Sequence, residues 1–260
     1  MSPLIRASAI TSAEILYAGD YPDVGMTLAT RKLGTNESAT FESPSSETAV
    51  LALTGRGVLE CAGRTLGFDR PNWVDSNPTI IHAPAGVPIV ARSDAPVELV
   101  IVSTANTRRF APRYYTPDDI QVEQRGRGIL DETCFRLVRL AFDDTNGPPE
   151  SNLVLGEVIN FAGRWSSYPP HHHPQPEIYY YRFDPPHGYG HGELGEEVFK
   201  IRGGDLLAIT DDRSHCQVSA PGYTMYYLWA VRHLEGSRYK GFTFEPEHVW
   251  TLQKKSKPLG

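Results

Sequence analysis

Cysteine is scarce in this chain: Cys61, Cys134 and Cys216 are odd in number, widely separated and in no Cys-x-x-Cys arrangement. That pattern excludes a disulfide framework and a thiolate zinc site, leaving idle, buried thiols in a reducing compartment as the expectation. Basic charge is in deficit as well, with 25 Lys and Arg against 31 Asp and Glu and a formal net charge of -6. No extended basic surface is available to neutralise a nucleic-acid backbone or an anionic membrane. No apolar run is long enough to span a bilayer, and the opening MSPLIRASAITSAEILYAG lacks the basic-then-apolar pattern of a secretory leader. The expectation is a cytoplasmic protein with no nucleic-acid or membrane partner, a small-molecule ligand, and homo-oligomerisation left open. The stretches GHGELG and TGRG do not match a phosphate-cradling loop that opens a helix, so turn geometry accounts for their glycines.

What the chain does contain is short runs of Val, Ile, Thr, Tyr and Leu broken every few residues by turn formers, with 23 Gly and 21 Pro overall. This is the signature of an all-β sandwich or barrel. ETAVLALTGRGVLECAG reads as a hairpin turning at Gly55 to Gly57, and TIIHAP, VPIVAR and VELVIVSTA follow as strands. A polar, proline-bearing stretch around TRRFAPRYYTPDD breaks the rhythm, after which CFRLVRLAF, NLVLGEVINF, EIYYYRF, EVFKI, DLLAIT and YTMYYLWAV resume it. The predicted organisation is two tandem β-barrel domains, residues 1–110 and 131–260, with 111–130 as connector.

Chemistry-bearing residues concentrate in WSSYPPHHHPQPEIYYYRF. Pro174 and Pro176 predict that the His triplet ends one strand and Glu177 begins the next. Period-two alternation puts His171 and His173 on one face with His172 on the other, and puts Glu177, Tyr179, Tyr181 and Phe183 together. With His215 as a third imidazole, His171, His173 and Glu177 form a set able to hold one divalent ion, whether zinc, manganese, iron or nickel. The first half has Glu47 but no His-x-His, and Ile89 occupies the position that matches His215. The first domain is therefore expected to be metal-free.

His171-x-His173 followed by Glu177 resembles the first motif of the cupin superfamily, and Gly204, Asp205 and His215 resemble the second. GEVINFAGRWSSYPPHHH, EIYYYRFDPPHGYGHG, GGDLLAIT and APGYTMYYL are similar, more closely, to the 5-deoxy-glucuronate isomerases of inositol catabolism, relatives of the 5-keto-4-deoxyuronate isomerases. The resemblance covers nearly the whole chain and implies a bicupin whose first copy is metal-free. Two departures stand out: a short interval between His173 and Glu177, and TDDRSH where a Pro-x-Gly turn usually precedes the last histidine.

The resemblance implies an aldose-ketose isomerisation of 5-deoxy-glucuronate to 5-dehydro-2-deoxy-gluconate, or of a related sugar acid in a divergent paralogue. Metal binding would occupy Glu177, so Tyr179 and Tyr181 are the candidate proton carriers by parity. Arg182 and Tyr227 are the candidate substrate-binding residues, although alternation turns Arg182 away from Tyr181 and a structural ion pair is its competing role. Two other readings share the ligand set: an iron-dependent cupin dioxygenase and a non-catalytic sugar- or metal-binding cupin.

Overall fold

A computed structural model of the chain describes residues 2–7 and 14–256. Residues 1, 8–13 and 257–260 lie outside the described residues. The chain is all-β. It divides into two compact units, each discontinuous in sequence: Ser8–Gln121 with Leu140–Leu155, and Met1–Ala7 with Val122–Arg139 and Gly156–Gly260.

The first of these units is built on a sheet in the order Arg113–Tyr115, Ile80–Ala83, Ser46–Cys61, Val97–Ala105, Met26–Leu33, Glu14–Leu16. Ser46–Cys61 is one strand of 16 residues, so the hairpin predicted at Gly55 to Gly57 does not form. Residues 46–54 pair with Val97–Ala105, and residues 55–61 pair with Arg64–Arg70. The register slips between Ala52 and Thr54, next to Gly55 at φ +103°. A Cβ on Gly55 would stand 2.2 Å from the Pro96 carbonyl oxygen. The glycines therefore serve a bend and a close backbone approach within a continuous strand, not a reversal. Val50, Ala52, Leu59, Phe68, Ile81, Ile89 and Leu99 fill the core of this unit.

The other unit contains the His-rich segment. One sheet runs Leu4–Ile5, Leu206–Ile209, Glu177–Asp184, Thr224–Arg232, Leu153–Asn160, Arg136–Phe142, Gln121–Arg125. A second runs Glu197–Arg202, Tyr189–Leu194, His215–Ser219, Trp165–His172, Thr243–Phe244. The core joins Val138, Val158, Tyr179, Tyr181, Phe183, Met225 and Tyr227 from the first sheet to Leu194 and Ile201 from the second. Alternation produces this directly, since Tyr179, Tyr181 and Phe183 share a face. Leu4 pairs with Leu207 and Ile5 with Leu206, adding an edge strand contributed from the start of the chain. Asp205 secures that strand: its carboxylate meets Arg6 Nη1 at 2.8 Å and accepts from the Ala7 N–H at 3.0 Å.

Candidate metal centre

His171 sits near the end of the Trp165–His172 strand, and His173 follows just beyond it. Glu177 opens the Glu177–Asp184 strand and His215 opens His215–Ser219. The strand ends of both sheets therefore deliver the four residues to one end of the sandwich. His171 is paired directly with His215, while His172, on the opposite face, is half-buried with Nδ1 2.8 Å from Asp212 Oδ1.

His173, Glu177 and His215 are buried, with one ligand atom from each lying within 4.8 Å of the others. Glu177 Oε2 stands 3.1 Å from His173 Nε2 and 3.2 Å from His215 Nε2. His171 stands beside this group, its ring centroid 4.6 Å from that of His215 and 6.5 Å from that of His173. Its other flank is closed by Phe242, with centroids 4.2 Å apart.

The tautomers follow from the backbone. His173 Nδ1 lies 2.9 Å from the Gln175 carbonyl oxygen, His215 Nδ1 3.1 Å from that of Arg213, and His171 Nδ1 3.1 Å from that of Ser167. Each Nδ1 must donate its proton to the carbonyl, so in the neutral ring the Nε2 lone pair is directed away from the strand. His215 Nε2 is buried and makes no hydrogen bond despite its proximity to Glu177. Imidazole lone pairs gathered around a buried carboxylate are a donor set that calls for a cation.

The close packing of these groups sets their electrostatics. Burial raises the Glu177 pKa, but the His173 and His215 rings outweigh it and hold the carboxyl down at about 2. Burial lowers His173, and the adjacent Glu177 carboxylate reverses this to a net rise. Burial and the neighbouring His215 pull His171 down to about 3, so its ring stays neutral. These residues fit a divalent ion.

The loop that lacks a Pro-x-Gly turn is held by ion pairs. Arg213 Nε meets Asp211 Oδ2 at 2.9 Å, and its Nη1 meets Glu197 Oε2 at 3.0 Å. Asp212 reaches His172, and the Ser214 carbonyl accepts from Gly195 N–H at 2.7 Å. His215 is thereby positioned without the usual turn chemistry.

Below the cluster lies a wall of phenols and hydroxyls. The Tyr179 ring centroid is 5.9 Å from that of His215 and 4.9 Å from that of Tyr227. Tyr227 Oη is 2.6 Å from Ser166 Oγ and 3.2 Å from Ser167 Oγ, while Tyr179 Oη is 3.4 Å from Ser167 Oγ. Tyr181 donates to Gln217 Oε1 at 2.6 Å. Two adjacent serines reach the same hydroxyl because the strand is irregular here, with Ser167 at φ +53° and a register shift between Ser166 and His171. Burial raises the pKa values of Tyr179, Tyr181 and Tyr227, so all three phenols keep their protons.

Of the substrate-binding candidates, Tyr227 is in this wall and Arg182 is not. Arg182 pairs across strands with Tyr226 and its guanidinium lies over the Tyr180 ring, 5.2 Å from the centroid. That is the face of the sheet opposite Tyr181 and Tyr227, as strict alternation requires. Arg136, not singled out from the motifs, donates to the Tyr168 carbonyl oxygen beside Ser167 and acts electrostatically on Tyr227. Ser166, Ser167, Gln217 and Phe242 were likewise missed. Only strand parity in CFRLVRLAF could have signalled Arg136, by placing it on the face of Val138.

The comparisons with known proteins agree with this architecture. A 5-deoxy-glucuronate isomerase of Bacillus subtilis (strain 168) is 26% identical over 243 residues, covering 85% of this chain and 86% of the relative. An IolB-like protein from Salmonella typhimurium LT2 superposes with TM-score 0.83 at 22% identity, over 94% of this chain and 97% of that one. The oxalate decarboxylase of Lactobacillus farciminis superposes with TM-score 0.67 at 11% identity, over 93% and 90% of the two chains, a likeness of fold. The chain thus has a bicupin-like all-β fold, and with residues 17–251 matching the KduI/IolB family, it belongs to that family.

Proposed function

We propose that this chain is a metal-dependent aldose-ketose isomerase acting on a sugar acid, with 5-deoxy-glucuronate as the first substrate to test and 5-dehydro-2-deoxy-gluconate as its product. The family membership and the relatives named 5-deoxy-glucuronate isomerase support the reaction class. The observation that carries the reading is the His173, Glu177 and His215 cluster, with each histidine held by a carbonyl so that Nε2 faces the carboxylate.

In this proposal His173, Glu177 and His215 hold a divalent ion, with His171 as the fourth ligand. When bound, the ion supplies Lewis acidity toward the carbonyl and adjacent hydroxyl oxygens of the sugar. The reaction moves one hydrogen from C2 to C1 and one proton from O2 to O1, so no redox cofactor is consumed. Tyr179 is assigned the oxygen-side proton. Its buried phenol stays protonated and is loosely held, so Oη can donate to a substrate oxygen as negative charge gathers there. Tyr181, tied to Gln217, orients the wall, and Tyr227, fixed by Ser166 and Ser167, contacts the sugar.

The test is an NMR time course of 5-deoxy-glucuronate and a panel of related uronates with metal-loaded protein, beside a His173→Ala control. Ketose signals that appear only with the unmodified chain support the isomerase. Failure to convert any uronate sinks it, and oxygen uptake would then be measured for the dioxygenase reading.

A further inference from the structure

Arg136 is a buried cation that no carboxylate among the described residues pairs with. Its residue is 6% exposed. Nη1 donates to the Cys134 carbonyl oxygen at 2.9 Å and Nη2 to the Tyr168 carbonyl oxygen at 3.0 Å. Arg139, on the opposite face of the same strand, has Glu157 Oε2 at 3.7 Å. Burial chiefly pulls the Arg136 guanidinium below its usual pKa, and the like-charged Arg125 adds to the lowering. Two carbonyl dipoles do not neutralise a buried guanidinium, and its fork retains further N–H donors.

The position of this charge relates it to the candidate metal centre. Arg136 shares its strand face with Val138, which packs in the core with Tyr179, Tyr181 and Tyr227. The carbonyl that Arg136 grips belongs to Tyr168, the residue after Ser167. Ser167 in turn holds His171 Nδ1 through its carbonyl and meets Tyr179 and Tyr227 through its hydroxyl. Arg125, paired with Glu123 at 2.7 Å, holds its guanidinium 5.9 Å from the Phe242 centroid, and Phe242 covers His171.

We infer that Arg136 is the anion subsite of this centre, its guanidinium taking the carboxylate of a sugar acid while the carbonyl and adjacent hydroxyl oxygens face the His173, Glu177 and His215 cluster. A carboxylate accepts from the fork in a charge-assisted, planar geometry that a neutral sugar cannot reproduce. The inference deepens the isomerase proposal by naming what selects an acid, and it rests on that proposal only for the identity of the acid.

Binding to the metal-loaded protein is measured by calorimetry with D-glucuronate and, as its neutral counterpart, D-glucose. The chain is expected to prefer glucuronate. Arg136→Gln should weaken glucuronate by about 30-fold or more while leaving glucose unchanged. Arg136→Lys, which keeps the charge, should restore part of the preference. Near-ultraviolet circular dichroism and metal content establish that each variant is folded and loaded. A folded Arg136→Gln protein with the original preference overturns the inference, as does an unmodified chain that binds both sugars alike. Preference for glucuronate that depends on Arg136, in a chain that turns over no uronate, upholds the subsite and rejects the isomerase.

Discussion

Tyr181 donates its hydroxyl proton to Gln217 Oε1 at 2.6 Å inside the sandwich, a bond between two side chains buried at 0% exposure. Tyr179, two residues earlier on the same face, reaches only Ser167 Oγ at 3.4 Å. The two phenols should therefore respond differently to loss of the hydroxyl. Tyr181→Phe leaves Gln217 without its partner and should cost about 1–3 kcal/mol of stability. Tyr179→Phe should leave the melting temperature nearly unchanged and lower kcat by about 100-fold or more. Thermal melts and initial rates on the same preparations check both.

Removing a histidine of the candidate metal centre should abolish metal binding without unfolding the chain. His173→Ala or His215→Ala is expected to weaken metal binding by more than the roughly 10–100-fold seen when an outer-shell partner is lost. The far-ultraviolet β-signature should persist, because Tyr179, Tyr181, Phe183, Leu207 and Tyr227 build the core independently of the cluster. Elemental analysis after dialysis and circular dichroism read the two effects separately.

The three cysteines should be inert in the folded protein. All are buried, and burial raises each thiol above its ordinary pKa; Glu193 raises Cys216 further. A raised thiol pKa means less thiolate at any given pH, so alkylation should stay slow as pH rises through the range where an exposed cysteine ionises. Iodoacetamide labelling followed by mass spectrometry, with and without denaturant, should show modification only in the unfolded chain.

In the other unit, Glu47 is 0% exposed and its carboxylate accepts from the Asn152 N–H at 2.6 Å and from Asn106 Nδ2 at 3.0 Å. Glu47→Ala would strand both donors and should cost about 3 kcal/mol of stability. Metal content should be unaffected. A denaturant titration beside elemental analysis distinguishes this structural role from a ligand role.

Much of this was legible from the chain because the relevant signals are local. Alternation in EIYYYRF places Tyr179 and Tyr181 together, and Pro174 and Pro176 separate the histidine strand from Glu177. The hairpin expected at Gly55 to Gly57 failed because a glycine pair marks either a turn or a bend. The choice depended on Pro96 and Arg92, some 40 residues on, whose carbonyls crowd the positions where Cβ atoms would sit. The pairing of Leu4 with Leu207 was invisible for the same reason, since register between distant segments leaves no periodic trace. Arg182 adjoined the motif and drew attention by proximity, whereas Arg136 reaches the Tyr168 carbonyl from a strand more than thirty residues upstream of the histidines.

The most direct test of the account is the rate of uronate isomerisation by one preparation measured metal-loaded, after chelation, and after reloading, with metal content followed in parallel. The loaded protein should convert a uronate, lose that activity on chelation, and recover it in proportion to the metal restored. Equal rates in the stripped and loaded states, or no conversion of any uronate by fully loaded protein, would contradict it.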